Sequence, residues 1–153
     1  MKLAEALAER AEAQRRYAQL KERLSLVARV QEGERPDEDP VELLAEAEGL
    51  LGRITWLIRR INATNTATAF DERNTLTDAI AQRDAALSRR ALYSDLARAA
   101  STRQDRYTRS EIRYVASVPV VDLQRKADAA AKEYRRWDTA IQQLNWNTEL
   151  IEE

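Results

Sequence analysis

Apolar residues recur at intervals of three and four along most of this chain, and this period predicts four long α-helices. The first pattern runs from about Lys2 to Val30, with an interruption at Arg10. Its apolar positions are Leu3, Ala6, Ala13, Tyr17, Leu20, Leu24 and Val27. Gly33 follows the pattern and is a plausible stop signal for this helix.

The second helix has the clearest predicted start. Asp39 is suited to the N-cap, Pro40 to the first helical position and Glu42 to the third position of a capping box. The apolar residues then alternate steps of four and three, which is typical of a coiled-coil seam. This seam consists of Leu43, Ala47, Leu50, Ile54, Leu57, Ile61, Thr64 and Thr68. Three further residues widen the apolar face: Leu44, Leu51 and Ile58.

The third and fourth helices follow the same period. Thr75 and Asp78 indicate an N-cap, and the third helix is expected to end near Ser101. Its predicted apolar side consists of Leu76, Ile80, Leu87, Leu92 and Leu96. The fourth helix is expected to begin near Pro119. Its seam comprises Val120, Leu123, Ala127, Ala130, Tyr134, Trp137, Ile141, Leu144, Thr148 and Ile151.

These patterns predict an all-α fold, an antiparallel bundle of four long helices with coiled-coil-like seams. Short connections favour antiparallel neighbours, and heptad-like seams favour small crossing angles. One short segment near 112–118 is β-branched and aromatic, so we expect it to be extended; it could form a strand with 66–70 or with a second subunit. No linker divides the chain, which predicts a single domain over 1–153.

The amino-acid composition excludes several kinds of catalytic and metal-binding site. The 153 residues include no Cys and no His, which excludes disulfides, Cys/His zinc sites and His-dependent catalytic triads. The acidic clusters lack the spacing of a metal-binding loop, and no Gly-rich phosphate loop is present. We therefore expect no enzymatic activity, no cofactor and no metal.

The charge balance disfavours two classes of partner, nucleic acids and anionic membranes. With 25 basic and 26 acidic residues, the chain has no overall field that would attract nucleic acid or an anionic membrane. The first residues carry charges throughout, so they do not form a signal peptide, and no apolar run approaches the roughly 20 residues of a membrane span. The expected location is the cytoplasm.

A candidate ligand-binding site lies between the third and fourth helices. It consists of Arg103, Arg106, Tyr107, Arg109, Arg113 and Tyr114. Arginine and tyrosine together can bind phosphate and stack on bases, which predicts an anion or nucleotide site. Alternatively, these arginines pair with carboxylates of neighbouring helices and stabilise the connection. Sequence-general nucleic-acid binding is a third interpretation, which the pI of 5.7 disfavours.

A candidate oligomer interface consists of Gly49, Gly52, Trp56 and Trp146. The two glycines, with Ala45 and Trp56, form a stripe beside the main seam of the second helix. Small residues allow another helix to approach closely, and aromatic residues are enriched at interfaces. The alternative is that the tryptophans widen the intramolecular core. A homo-oligomer is the partner that this pattern predicts.

The end of the second helix is unusually polar. It contains Asn62, Thr64, Asn65, Thr66 and Thr68. Polar residues in a seam can set its register or cap a helix end, and they could also line a small polar pocket.

Five phrases together resemble the septicolysin-like family of small bacterial helical proteins. They are ARVQEGERPDEDP, RINATNTAT, LTDAIAQRD, RQDRYTRSEIRYVASV and LNWNTEL, and they extend over almost the whole chain. The resemblance implies a domain of unknown function without known catalytic residues. The family label implies a membrane-active cytolysin, for which the second helix, with its wide apolar face, would be the candidate segment.

The sequence therefore favours a non-enzymatic cytosolic helical bundle of unknown role that self-associates through helix surfaces. Two alternatives stay open: a small anion- or nucleotide-binding protein, and a membrane-active protein.

Overall fold

The computed structural model describes residues 1–101 and 112–153, and these ranges contain four long α-helices. They are α1 (Leu3–Val27), α2 (Pro40–Ala67), α3 (Leu76–Ala100) and α4 (Val120–Asn147). Lys2 and Glu149 form an isolated antiparallel bridge, and within the two described ranges there is no strand or sheet. The prediction of an all-α fold built from four long helices is confirmed.

Side-chain caps fix the starts of α2 and α3. Asp39 Oδ1 accepts a hydrogen bond from the Val41 N–H at 2.9 Å, and Pro40 occupies the first turn. Thr75 and Asp78 form a reciprocal capping box, in which Asp78 Oδ2 accepts from the Thr75 N–H at 2.8 Å. These contacts satisfy N–H groups that have no partner within the helix, so both starts were predictable from short local motifs.

Gly33 does not end α1. The helix ends at Val27, with Ala28 as its C-cap, and Gly33 lies further along the connection with a φ of 88°. There the Glu34 N–H donates to the Gln31 carbonyl at 3.0 Å, which closes a tight turn. Glycine adopts a positive φ without the steric cost that a Cβ imposes, so its role is in this turn.

The end of α4 also differs from the predicted pattern. The helix stops at Asn147, so Thr148 and Ile151 do not continue its seam. Instead, the Leu3 N–H donates to the Thr148 carbonyl at 2.9 Å, and the Leu150 N–H donates to the Met1 carbonyl at 2.8 Å. The Leu3 N–H and the Met1 carbonyl offer these residues partners that a continued helix could not use.

The described chain divides into two compact units, and α4 contributes to both. Unit 1 comprises Met1–Ala69 and Gln143–Glu153, and unit 2 comprises Phe70–Gln142. The expectation of one domain over 1–153 stays a prediction.

Unit 1 is built on an antiparallel hairpin of α1 and α2. Three ion pairs join α1 to α2 or to the segment before it: Glu9–Arg53, Arg16–Glu46 and Arg23–Glu38. From the first of these pairs to the last, the residue number of the α1 partner rises while that of the other partner falls. The two helices are therefore antiparallel. The predicted seam of α2 is buried at Leu43, Ala47, Ile54, Leu57, Ile61 and Thr64. One cluster of the core consists of Leu20, Val27, Leu43 and Ala47, with Tyr17, Leu24 and Leu50 packed against it.

Unit 2 contains α3 and most of α4, also antiparallel. Arg83 pairs with Asp138 at 3.3 Å and Arg89 with Glu133 at 3.2 Å. The buried positions of α3 are Leu76, Ala79, Ala86 and Ala97, whereas Leu87, Leu92 and Leu96 are exposed. The predicted apolar side of α3 was therefore wrong beyond its first turn. The seam of α4 is buried at Leu123, Ala127, Ala130 and Ile141.

The segment 112–118 has no regular secondary structure where the structure describes it. Residues 112–116 are irregular, and a bend at 117–118 leads into α4. Neither these residues nor 66–70 belong to a strand, so the predicted pairing between these two segments was wrong, and pairing with a second subunit stays a prediction. Among the residues that the structure describes, this β-branched segment has no partner strand, and a lone strand leaves its backbone groups unpaired.

Candidate functional site

Four of the six candidate ligand-binding residues lie outside the described part of the chain. They are Arg103, Arg106, Tyr107 and Arg109, within 102–111. The two others, Arg113 and Tyr114, are exposed. Both interpretations of this group, an anion site and a stabilised connection, stay predictions.

A shallow cleft of about 330 Å³ lies where 114–118 passes the end of α3. Its wall includes Leu96, Ala99, Ala100 and Val115, but its surface is about equally polar and apolar; Arg113 does not line it. Tyr114 and Ser117 contribute the side-chain hydroxyls of its wall. Among the described residues, the cleft therefore has no basic side chain in its wall.

The arginines of unit 1 are held by carboxylates between α1 and α2. Arg53 donates to both carboxylate oxygens of Glu9, at 2.6 and 2.9 Å. Arg23 likewise donates to both oxygens of Glu38, at 3.0 Å through its Nε. The hydrogen bonds from these arginines lower the pKa of Glu9 and of Glu38 below the ordinary value of 4.5. Such bidentate pairs fix the hairpin and leave these groups engaged rather than available to a ligand.

The outward side of α2 carries two stripes of residues that the hairpin leaves uncovered. The heptad stripe consists of Leu44, Leu51 and Ile58, one heptad apart, and all three are exposed. The glycine stripe consists of Ala45, Gly49, Gly52 and Trp56; its first three members are exposed and Trp56 is half-buried. We call the two stripes together the outer face of α2. The heptad stripe was predicted to widen the apolar face of α2, and the structure leaves its three residues accessible.

Neither glycine in this face is required by packing within the chain. A Cβ placed on Gly49 or on Gly52 would meet no atom within 4 Å. Trp56 is covered on one side by the guanidinium of Arg53, 4.4 Å from the centre of its indole ring. The fourth candidate interface residue, Trp146 on α4, is 61% exposed. The structure thus places all four candidates in unit 1, and it leaves the two glycines and Trp146 accessible.

One structural contact in unit 1 was missed by the sequence analysis. Thr64, 1% exposed, accepts a hydrogen bond through Oγ1 from the Ile151 N–H at 2.9 Å, and its own hydroxyl donates to the Arg60 carbonyl at 2.8 Å. The polar end of α2 therefore anchors the segment that follows α4. The periodic pattern concealed this contact because Thr148 and Ile151 also fit a helical seam.

Two features are absent from the described residues. Within 1–101 and 112–153 there is no group of three or more acidic side chains placed to hold a metal ion. In the same ranges, none of the helices combines the length and the apolar character that crossing a membrane requires.

Comparison with known proteins places the chain among proteins whose role has not been assigned. The model of a family of unknown function, DUF6847, matches residues 10–150. The chain is also similar to a solved structure described as a functionally unknown conserved protein from Corynebacterium diphtheriae. The two share 58% sequence identity with a TM-score of 0.91, and the match covers 99% of each chain. A search of curated proteins found no match.

These findings correct the resemblance suggested by the sequence phrases. The family that matches is DUF6847, and neither comparison points to the septicolysin-like family. The resemblance was therefore wrong, and the implied membrane activity loses its basis. Short phrases rich in Ala, Arg and Glu recur in helical proteins and identify a family less reliably than a match over the whole chain.

Proposed function

The chain belongs to DUF6847, a family of unknown function, and from this premise we propose that it is a non-enzymatic protein that self-associates through the outer face of α2. Because the function of the family is unknown, membership does not assign an activity to this chain. The proposal therefore depends on the surface of the molecule, and the exposed heptad stripe of α2 is the observation that carries it.

The heptad stripe supports an interface because its residues repeat at the spacing of a helix–helix contact. Leu44, Leu51 and Ile58 are 51%, 42% and 37% exposed, so each retains apolar area to bury. Burial of apolar surface contributes roughly 25 cal/mol per Å² before the cost of association. Single exposed leucines are ordinary, but an aligned row beside a second uncovered stripe is typical of a partner surface.

The glycine stripe supports the same conclusion independently. A glycine within a helix costs about 1 kcal/mol relative to alanine. Alanine would fit at both Gly49 and Gly52, because open space surrounds the position of the missing Cβ. Within one chain the two glycines therefore only weaken α2. In an assembly they would let another helix approach its backbone closely.

The non-enzymatic part of the proposal is supported by residue chemistry. The chain has no His and no Cys, the side chains most often used as general base and as thiolate nucleophile. Among the carboxylates of α1, Glu9 is bound by Arg53 and Glu12 by Arg15. These ion pairs contribute to holding α1 and α2 in place.

The test is the mass of the protein in solution, measured by size-exclusion chromatography with light scattering at tens of micromolar. We expect the wild type to elute with at least twice the chain mass of 17.5 kDa. Leu51→Glu should shift it to the monomer, because a carboxylate at the centre of the heptad stripe would be buried without a partner. Leu26→Glu is the matched control, because Leu26 is 82% exposed on α1 and lies outside this face.

A monomeric wild type at these concentrations would refute the proposal. Equal masses for wild type and Leu51→Glu, both above the monomer, would move the interface to another surface. Loss of association in Leu26→Glu as well would show that any added charge disrupts the assembly, and the outer face of α2 would lose its support.

A further inference from the structure

Two opposite charges lie within the outer face of α2. At about 3.6 residues per turn, Glu48 and Arg59 fall between the heptad stripe and the glycine stripe. Both side chains are exposed, and neither forms an ion pair with another residue in the described ranges. This differs from the neighbouring Glu46 and Arg53, which pair with Arg16 and Glu9 of α1.

We propose that two copies of this chain pack their α2 helices antiparallel, with Glu48 of each copy opposite Arg59 of the other. The inference rests on the proposed function, because it assumes association through the outer face of α2. It adds the direction and the register of the two helices. The partner is thus a second copy of this chain. In the pair, each charged residue of one copy lies opposite a residue of the other sign in the second copy.

The charges decide between the two possible directions. A parallel pair would set Glu48 against Glu48 and Arg59 against Arg59, and like charges facing each other at an interface are strongly unfavourable. An antiparallel pair converts both repulsions into attractions, and it also aligns the two helix dipoles favourably. The face is therefore self-complementary in one direction only.

The spacing of the charges fixes the register. Glu48 and Arg59 lie about 16 Å apart along the helix at 1.5 Å per residue. A twofold axis between them passes close to Arg53 and Ile54, and the residues of the outer face nearest to it are Gly52 and Thr55. Gly52, which has no Cβ, thus lies where the two helices would approach most closely.

The charge relation is tested by reversing each residue alone and then both together. Dimer dissociation constants are measured by analytical ultracentrifugation for Glu48→Arg, Arg59→Glu and the double variant. Because each pair occurs twice in the dimer, we expect each single reversal to weaken association about tenfold or more, and the double reversal to restore it to within about threefold. Single reversals without effect, or a double variant as weak as the singles, would overturn the antiparallel register.

The direction is tested with spin labels, which the absence of native cysteine makes straightforward. Thr55→Cys and Val41→Cys are both at exposed positions of α2 and are labelled separately. In the antiparallel dimer the two Thr55 positions lie near the twofold axis, so their labels should show strong dipolar broadening. The two Val41 positions should be about 40 Å apart, from the rise per residue and an interaxial distance of about 8–10 Å.

Short distances at both positions would establish a parallel pair and overturn this inference while leaving the proposed self-association intact. A dimer mass with no short distance at either position would place the interface elsewhere and overturn both the register and the face. A monomeric mass would refute the proposed function itself.

Discussion

Thr64 shows how one side chain can join two parts of unit 1. Its hydroxyl oxygen is almost fully buried and serves at once as a donor to α2 and as the acceptor for the Ile151 N–H. A buried backbone N–H left without an acceptor costs about 1–3 kcal/mol. The residue therefore contributes more to stability than the other threonines at the end of α2.

Replacing Thr64 by valine removes this acceptor while conserving the volume of the side chain. We expect Thr64→Val to lower the free energy of unfolding by about 1–3 kcal/mol, as measured by urea denaturation. Thr66→Val is the matched control, because Thr66 makes the same bond to the carbonyl four residues earlier but is exposed. Equal effects of the two changes would mean that the bond to Ile151 contributes little.

Glu9 and Glu38 make the stability of unit 1 depend on pH. Hydrogen bonds from Arg53 and Arg23 lower the pKa of these carboxyls below 4.5 in the folded protein. A lowered folded-state pKa gives stability that is present above the unfolded value and is lost as the pH falls through the folded value. The window of loss therefore begins near pH 4.5 and extends to more acidic pH.

Urea midpoints at pH 7 and pH 3 measure this contribution. The wild type should lose stability between these values, and the Glu9→Gln, Glu38→Gln double variant should lose less over the same interval. Both pairs are at the surface, so added salt should also reduce the difference. A double variant with the full pH dependence of the wild type would assign the effect to other carboxylates, such as Asp78, whose pKa is also lowered by the Thr75 backbone N–H.

At the scale of the helix, α3 shows that the most hydrophobic side chains of a helix are not always the buried ones. Its seam is formed by alanines, and Ala79 and Ala86 are completely buried, whereas Leu92 is 62% exposed. Arg83 lies on the same side, paired with Asp138. The leucines dominated the predicted pattern because they are the most hydrophobic residues, but the small alanines are the ones that fit against α4.

Two substitutions in α3 distinguish these interpretations. Ala86→Leu should destabilise the protein by about 1–3 kcal/mol, because extra methyl groups do not fit a filled seam. Leu92→Ala should change the free energy of unfolding by less than about 0.5 kcal/mol, the usual range for surface positions. Thermal or urea denaturation measures both, and the reverse order of effects would restore the leucine side as the buried one.

Helix starts were predictable and helix ends were not, for a physical reason. Asp39 and Thr75 cap their own helices through contacts within three residues, so a short stretch of sequence contains the whole signal. The end of α4 depends on Thr148 and Leu150 bonding to backbone groups of Leu3 and Met1, far away in the sequence. Such competition between distant partners leaves no local signature.

At the scale of the whole molecule, the sequence identified α2 as the prominent helix but not which of its sides stays uncovered. Periodicity assigned the heptad stripe to the same broad apolar face as the buried seam, whereas the glycine stripe was predicted as a separate interface. The three-dimensional structure separates the seam from the stripes. The candidate Arg/Tyr group could not be evaluated in this way, because most of it lies within 102–111.

Self-association makes the thermal stability of the whole molecule depend on its concentration. A partner that binds the folded state but not the unfolded chain raises the melting temperature by mass action. We expect the melting temperature of the wild type to rise between about 1 and 100 μM, which spans typical affinities for a modest interface. Calorimetry of Leu51→Glu should show no such rise, and a flat wild-type curve would contradict the proposed assembly.

The bond between Thr64 and Ile151 has a consequence for how sequences of this family can diverge. Ile151 contributes its backbone N–H, and its side chain is 40% exposed, so almost any amino acid except proline could replace it. Position 64, by contrast, needs a hydroxyl group. Evolutionary drift should therefore preserve Thr or Ser at 64 while the residue at 151 changes freely.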